Sequence, residues 1–170
     1  MIPVELPPAL VAQGIALRQE RDDDVAFLTG LYASTRAAEL ASMTQWSDAQ
    51  QTAFVAQQFA AQRHHYRTAL HDVHFAVIEQ AGQAVGRLYV QPRRTAMQLV
   101  DITLHPDRRG AGLGSALIAA VIDSAARQRL DVGLFVERYS AALPLYRRFG
   151  FTTLVEHDIY LEMERPHGAD

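Results

Sequence analysis

Between residues 104 and 117 the chain reads "LHPDRRGAGLGSAL". This sets Arg108, Arg109 and the glycines Gly110, Gly112 and Gly114 at the join of an apolar strand and an apolar helix. A helix that opens on glycines offers bare backbone N–H groups and the positive end of its dipole, which is the chemistry of a phosphate cradle. Glycines lacking Cβ let a pyrophosphate approach the backbone, and the arginines add charge-assisted hydrogen bonds. Two familiar phosphate loops fail on spacing. A nucleotide P-loop requires a lysine after its last glycine, and here Gly114 is followed directly by Ser115. A dinucleotide fingerprint requires G-x-G-x-x-G. These glycines are one residue too tight, and they follow an antiparallel meander rather than a βαβ unit.

The spacing that fits is R-x-x-G-x-G, as Arg109, Gly112 and Gly114. Further on, "LFVERYSAALPLYRRFGF" ends a strand, begins a helix and carries L-Y-x-x-x-G-F as Leu145, Tyr146, Gly150 and Phe151. Together the two motifs resemble the acyl-CoA-binding turn and the late helix of the GNAT superfamily of N-acetyltransferases. The resemblance runs in element order over residues 14–165, with its specific motifs inside 98–151. It implies transfer of the acetyl group of acetyl-CoA to a primary amine, by direct attack in a ternary complex and without a metal. The backbone of Ile102, Thr103 and Leu104 is then expected to pair with pantetheine like an added strand, one N–H steadying the oxyanion. Arg108, Arg109, Gly110, Ala111, Gly112, Leu113, Gly114 and Ser115 are expected to surround the pyrophosphate. Where the family often has an asparagine opening the late helix, this chain has Ser140 beside Tyr139, with Pro144 in the first turn.

The same resemblance makes Tyr146 the group that protonates the departing thiolate. Its helical stripe with Ala142, Leu145 and Phe149 also fits a core tyrosine. Asp101, on the strand entering the pantetheine segment, and Glu137, ending the neighbouring strand, are the two candidate bases, acting directly or through water. Each also reads as a solvated strand-end charge. Arg36, Glu39 and Trp46 fall where the family covers the acceptor: Glu39 for an ammonium, Arg36 for a carboxylate and Trp46 for an apolar body, unless Trp46 packs in the core. His64, His65, His71 and His74 have no cysteine and no tight acidic set beside them, so no metal site is expected.

These groups need elements to hold them. Pro3, Pro7 and Pro8 predict an extended arm over residues 1–13, before a single domain at 14–166. "GIALRQE" reads as a short strand. "RDDDVAFLTGLYASTR" reads as a helix opened by acids, with Val25, Leu28 and Tyr32 on its face. A second helix starts on the capping Ser47 and lines up Val55, Phe59, Gln62 and Tyr66. A hairpin turns at Ala81-Gly82-Gln83, and the strand that follows stops at Pro106. The glycine turn opens an apolar helix, and "DVGLFVE" predicts a strand covered on both faces. A short helix ends at Gly150 and two strands close the chain around His157-Asp158. The order β-α-α-β-β-β-α-β-α-β-β gives an α/β (α+β) domain whose central sheet is mixed, mostly antiparallel, and flanked by helices.

Composition bounds the rest. With 170 residues, 49% hydrophobic and 21% charged, the chain has the makings of one ordinary core. A net charge of -3 argues against a nucleic-acid partner. No stretch is apolar enough to span a membrane, and "MIPVELPPAL" does not read as a signal peptide, so the expected location is cytoplasmic. The chain has no cysteine, which removes disulfides and thiol nucleophiles. The acceptor, whether a small-molecule amine or a peptide, is left open, as is a homodimer. A non-catalytic acyl-CoA-binding or sensing module, or an interaction domain with an empty turn, would carry the same motifs.

Overall fold

The structure, a computed structural model that describes residues 1–169, has seven strands: β1 (Ile15–Gln19), β2 (His74–Gln80), β3 (Gln83–Pro92), β4 (Ala96–Leu104), β5 (Asp131–Glu137), β6 (Thr152–Glu156) and β7 (Tyr160–Arg165). They form one sheet in the order β1-β2-β3-β4-β5-β7-β6. Every pairing is antiparallel except β4 with β5. Six helices surround it: α1 (Pro8–Ala12), α2 (Val25–Thr35), α3 (Ala37–Ser42), α4 (Asp48–Ala69), α5 (Leu113–Arg127) and α6 (Leu143–Arg148). Among the described residues no helix is long and apolar enough to cross a membrane.

Strand alternation sorts the helices onto two faces. Leu88 of β3 belongs to the main core with Leu117 and Val121 of α5 and Tyr146 of α6. Its neighbours Arg87 and Tyr89 point the other way, to Phe59 and Tyr66 of α4. On that second face Leu28, Leu31 and Tyr32 of α2 pack against Val55 and Phe59 of α4. The capping serine is in place: Gln50 N–H donates to Ser47 Oγ, and the Gln50 side chain accepts from Ser47 N–H.

Polar groups fix α4 to the sheet. Glu20, at the end of β1, is buried and accepts from Arg63, Arg67 and the Tyr89 hydroxyl at 3.2, 2.7 and 2.6 Å. Nearby, Arg18 holds both oxygens of Asp24 at 2.7 Å, and Asp24 also accepts from the Arg21 N–H.

Four expectations need correction. The first residues are not simply extended. Pro8 starts α1, a first-turn position that needs no N–H, and both Leu10 and Val4 are buried in the main core. The acids before α2 form a 3-10 turn, and Val25 lies toward solvent while Leu31 joins Leu28 and Tyr32 inside. The region after α2 contains a helix, α3, that the pattern did not show. Finally, β5 is covered on one face only: Leu134 and Val136 are buried under α5, whereas Phe135 is 49% exposed because α2 and α4 stop short of it.

Candidate active site

The site originates in a defect of the sheet. Tyr89 pairs with Asp101 and Val90 with Leu99, so Val100 is an extra residue that bulges out of β4. Parallel pairing with β5 runs only from Ala96↔Asp131 to Leu99↔Leu134 and stops at the bulge. Beyond it β4 and β5 separate, leaving one backbone edge of β4 without a neighbouring strand. Gly86 lets β3 follow β4 past this point, since a Cβ there would lie 2.5 Å from the Thr103 carbonyl oxygen.

A cleft of about 350 Å³ fills the gap. Asp101, Ile102 and Thr103 form one wall, Phe135, Glu137, Ser140 and Tyr146 the other, and Tyr32 of α2, Arg36 just after it, and Gln62 and Tyr66 of α4 close it above. The two candidate bases thus share one cavity, but they differ in circumstance. Asp101 is clamped: Arg87, itself buried, donates through Nε at 3.2 Å and Nη2 at 2.8 Å, and the Thr103 hydroxyl donates at 2.8 Å. Gln62 Oε1 steadies the same Arg87 Nη2 at 3.0 Å. Burial works against the Arg87 charge, yet Asp101 and the surrounding phenols outweigh it and hold the guanidinium above its usual value. Glu137, by contrast, is exposed and makes no ion pair among the described residues.

Tyr146 is packed in the core and also borders the cleft. The ring is 8% exposed and meets Phe151 edge-on at 5.7 Å, as a core tyrosine would, while the residue lines the cleft. Burial, with a further push from the Asp101 charge, raises its phenol to about 12. The same causes raise Tyr66 to about 12. Ser140 lines the cleft as well, and its hydroxyl accepts from the Ala142 N–H ahead of α6.

The glycine turn lies beyond the cleft, at the end of β4. Gly110 and Gly112 sit at φ +77° and +85°, so both occupy the left-handed region. Gly114 is helical, and a Cβ there would make ordinary contact with Leu104. Six successive N–H groups, residues 110–115, donate to no acceptor among the described residues. That is a ready anion cradle at the start of a 15-residue helix.

Two of the expected cofactor contacts also hold the fold together. Arg109 donates to the Leu104 carbonyl at 2.8 Å and to Ser34 of α2 at 2.9 Å, so it braces the turn. Leu104 turns its side chain into the main core. Arg108 is exposed; with Ala111, Gly112 and Leu113 it borders a separate cavity of about 300 Å³ against α1.

Of the acceptor-side candidates only Arg36 reaches the cleft. Its guanidinium lies 5.4 Å from the Tyr32 ring centre and 3.7 Å from Glu39. Glu39 borders a smaller pocket behind it, and Trp46 is 43% exposed, edge-on to Phe54 at 5.4 Å, neither in the core nor in the cleft. Arg87, Gln62 and Tyr66 are among the cleft residues the motifs did not point to. One signal was there: Arg87 interrupts an apolar run and Asp101 interrupts the next, as a buried pair across a hairpin would.

An open mixed sheet split between its parallel central strands, with a donor-rich turn beyond the split, defines a fold class. Residues 71–153, just under half of the chain, match the family model for the acetyltransferase (GNAT) domain. A coenzyme A complex of PaiA N-acetyltransferase from Thermoplasma acidophilum superposes with a TM-score of 0.65 at 16% identity, covering 89% of this chain and 98% of that one. The ribosomal-protein-S18-alanine N-acetyltransferase of Escherichia coli gives 0.59 at 18%, covering 92% and 96%. In sequence, 72 residues are 40% identical to a mycothiol acetyltransferase of Clavibacter michiganensis subsp. michiganensis. That match takes in 41% of this chain and 24% of the relative, so the chain spans about a quarter of that protein's length.

Proposed function

We propose that the domain transfers the acetyl group of acetyl-CoA to a primary amine, by direct attack with both substrates bound. The observation that carries this reading is the coincidence of a split β4–β5 edge, a phenol in the split and an unpaired donor array beyond it. The free edge of Ile102 and Thr103 suits a pantetheine arm, and the array at residues 110–115 suits the pyrophosphate. A neighbour of the same fold carries coenzyme A.

In this reading the amine nitrogen forms its bond to the acetyl carbon as the carbon–sulfur bond breaks. A β4 backbone N–H supports the carbonyl oxygen. The amine proton passes to Glu137 or through water at that wall, because Asp101 has its oxygens committed to Arg87 and Thr103. Tyr146, protonated throughout the working range, donates a hydrogen bond to the sulfur as it leaves. Full proton transfer from a phenol near 12 to an alkyl thiolate, a weaker base than that phenolate, is uphill, so stabilisation in place is the larger part of its role. Arg36 borders the acceptor's approach.

Two measurements test the proposal. Acetyl-CoA at about a hundred times its Kd is expected to add about 2.7 kcal/mol of stability, a rise of some 5–10 °C in Tm. A panel of primary amines with acetyl-CoA is expected to release free thiol. A Tm rise with no thiol from any amine would favour a cofactor-sensing module, and no Tm rise would remove the cofactor altogether.

A further inference from the structure

The sheet face beside the cleft is bare where α2 and α4 end. Cross-strand register puts Phe135 opposite Glu162, Glu137 opposite Tyr160, and Val155 opposite Glu162, so all five side chains share that face. Phe135 is 49% and Tyr160 41% exposed, and their rings meet edge-on at 5.6 Å. His157 stacks on Tyr160 at 4.7 Å, and its Nε2 is buried with no hydrogen-bond partner, 3.7 Å from Glu162. Phe135 and Glu137 are also cleft wall, so this shelf is continuous with the place where the amine must sit.

We infer, on the reading that the cleft acetylates an amine, that the acceptor carries a second cationic group, which rests on this shelf between the Phe135 and Tyr160 rings and the Glu162 carboxylate. Charge and surface agree. Two half-exposed aromatic rings offer a cation the negative potential of their faces, and Glu162 supplies the opposite charge. Of the guanidiniums beside the shelf, Arg138, just past β5, is taken up by Glu156 and the His157 carbonyl, and Arg165, at the end of β7, donates to the Phe149 carbonyl. Arg36, in the cover above the cleft, is set against Tyr32 and Glu39 and also feels the Glu137 charge. Spacing agrees too. Glu137 and Glu162 are diagonal neighbours across the β5–β7 ladder, about 7–8 Å apart. That is the separation of the two nitrogens in an extended five-carbon diamine or in a lysine-like side chain.

The experiment compares acceptors of equal reach and different tails: 1,5-diaminopentane, pentylamine and 6-aminohexanoate, each with acetyl-CoA. Expected is a kcat/KM for the diamine at least about tenfold above pentylamine, with the carboxylate-tailed acceptor lowest. Glu162→Gln brings the diamine down toward pentylamine, and Glu162→Arg raises 6-aminohexanoate above the diamine, a gain that misfolding cannot mimic. Equal use of the three, preference for the carboxylate tail, or an undisturbed preference in both variants would overturn the inference while leaving amine acetylation standing. Should none of the three release thiol, calorimetric titration of the diamine into the protein saturated with coenzyme A decides. Binding that weakens in Glu162→Gln supports the shelf, and no binding overturns it.

Discussion

Tyr146 has a single oxygen on which its proposed role depends. Tyr146→Phe keeps the ring against Phe151 and removes only the hydroxyl. The expected result is a fall in kcat of at least about tenfold with little change in Tm or in acetyl-CoA affinity. A packing role alone would leave turnover per folded molecule intact. Because burial holds the phenol near 12, its ionisation cannot shape the rate below about pH 10. The alkaline limb of the wild-type rate profile should therefore persist in Tyr146→Phe at reduced height. Gly112 gives a second test at this scale. Its φ of +85° is one that Asn and Asp tolerate better than other side chains, so Gly112→Asn and Gly112→Asp form a matched pair. Both should fold. The Asp variant is expected to lose the acetyl-CoA-dependent rise in Tm, since its carboxylate meets the pyrophosphate, while the Asn variant keeps a good part of it.

Among the elements, β4 decides most. Its bulge at Val100 ends the pairing with β5, and the Arg87–Asp101 pair fixes the strand to β3 just beyond. Both side chains are largely withdrawn from water, at 3% and 13% exposure. Removing one charge leaves the other unanswered, a loss typically of about 3–5 kcal/mol. Asp101→Asn should therefore unfold at clearly lower urea concentration than wild type, and adding Arg87→Met should recover about half of the deficit or more. Activity lost in Asp101→Asn is to be read against that stability, because a loosened β4 edge would impair cofactor binding as well. If the single variant is as stable as wild type, the clamp does not hold the strand.

For the molecule as a whole, the helical cover of the second face hangs on carboxylates near β1. The Arg18 hydrogen bonds to Asp24, against the cost of its burial, hold that carboxyl below its ordinary value. A group depressed in the folded state contributes stability that is complete above its unfolded value near 3.9 and is lost as pH falls through the folded one. Stability is thus expected to drop below about pH 4, and Asp24→Asn should flatten that drop while lowering stability at pH 7. Urea midpoints measured at pH 7, 4 and 3 on both proteins check the sign. An equally steep acid limb in the variant would show that Asp24 does not carry the effect.

How much of this the residues themselves carried differs from place to place. The glycine turn and the L-Y-x-x-x-G-F helix were legible because their information is local: a positive φ, a missing Cβ, a helix start, a fixed offset along one helix. The strands and the buried face of α5 were legible from periodicity for the same reason. Helix α3 was missed because its six residues bury nothing and so leave no apolar period. The partners of Arg109 and Trp46 were not legible, because Ser34 at 75 residues' separation and Phe54 on the next helix are set by how α2 and α4 dock. The sequence by itself determined the kind of sheet, the kind of turn and the candidate groups. Only the tertiary structure decided that Asp101 is clamped while Glu137 is free, that Tyr146 is buried and still borders the cleft, and that one face of β5 is bare. Each depends on a long-range ladder or a helix-to-sheet contact, and such contacts leave no pattern in the local order of residues.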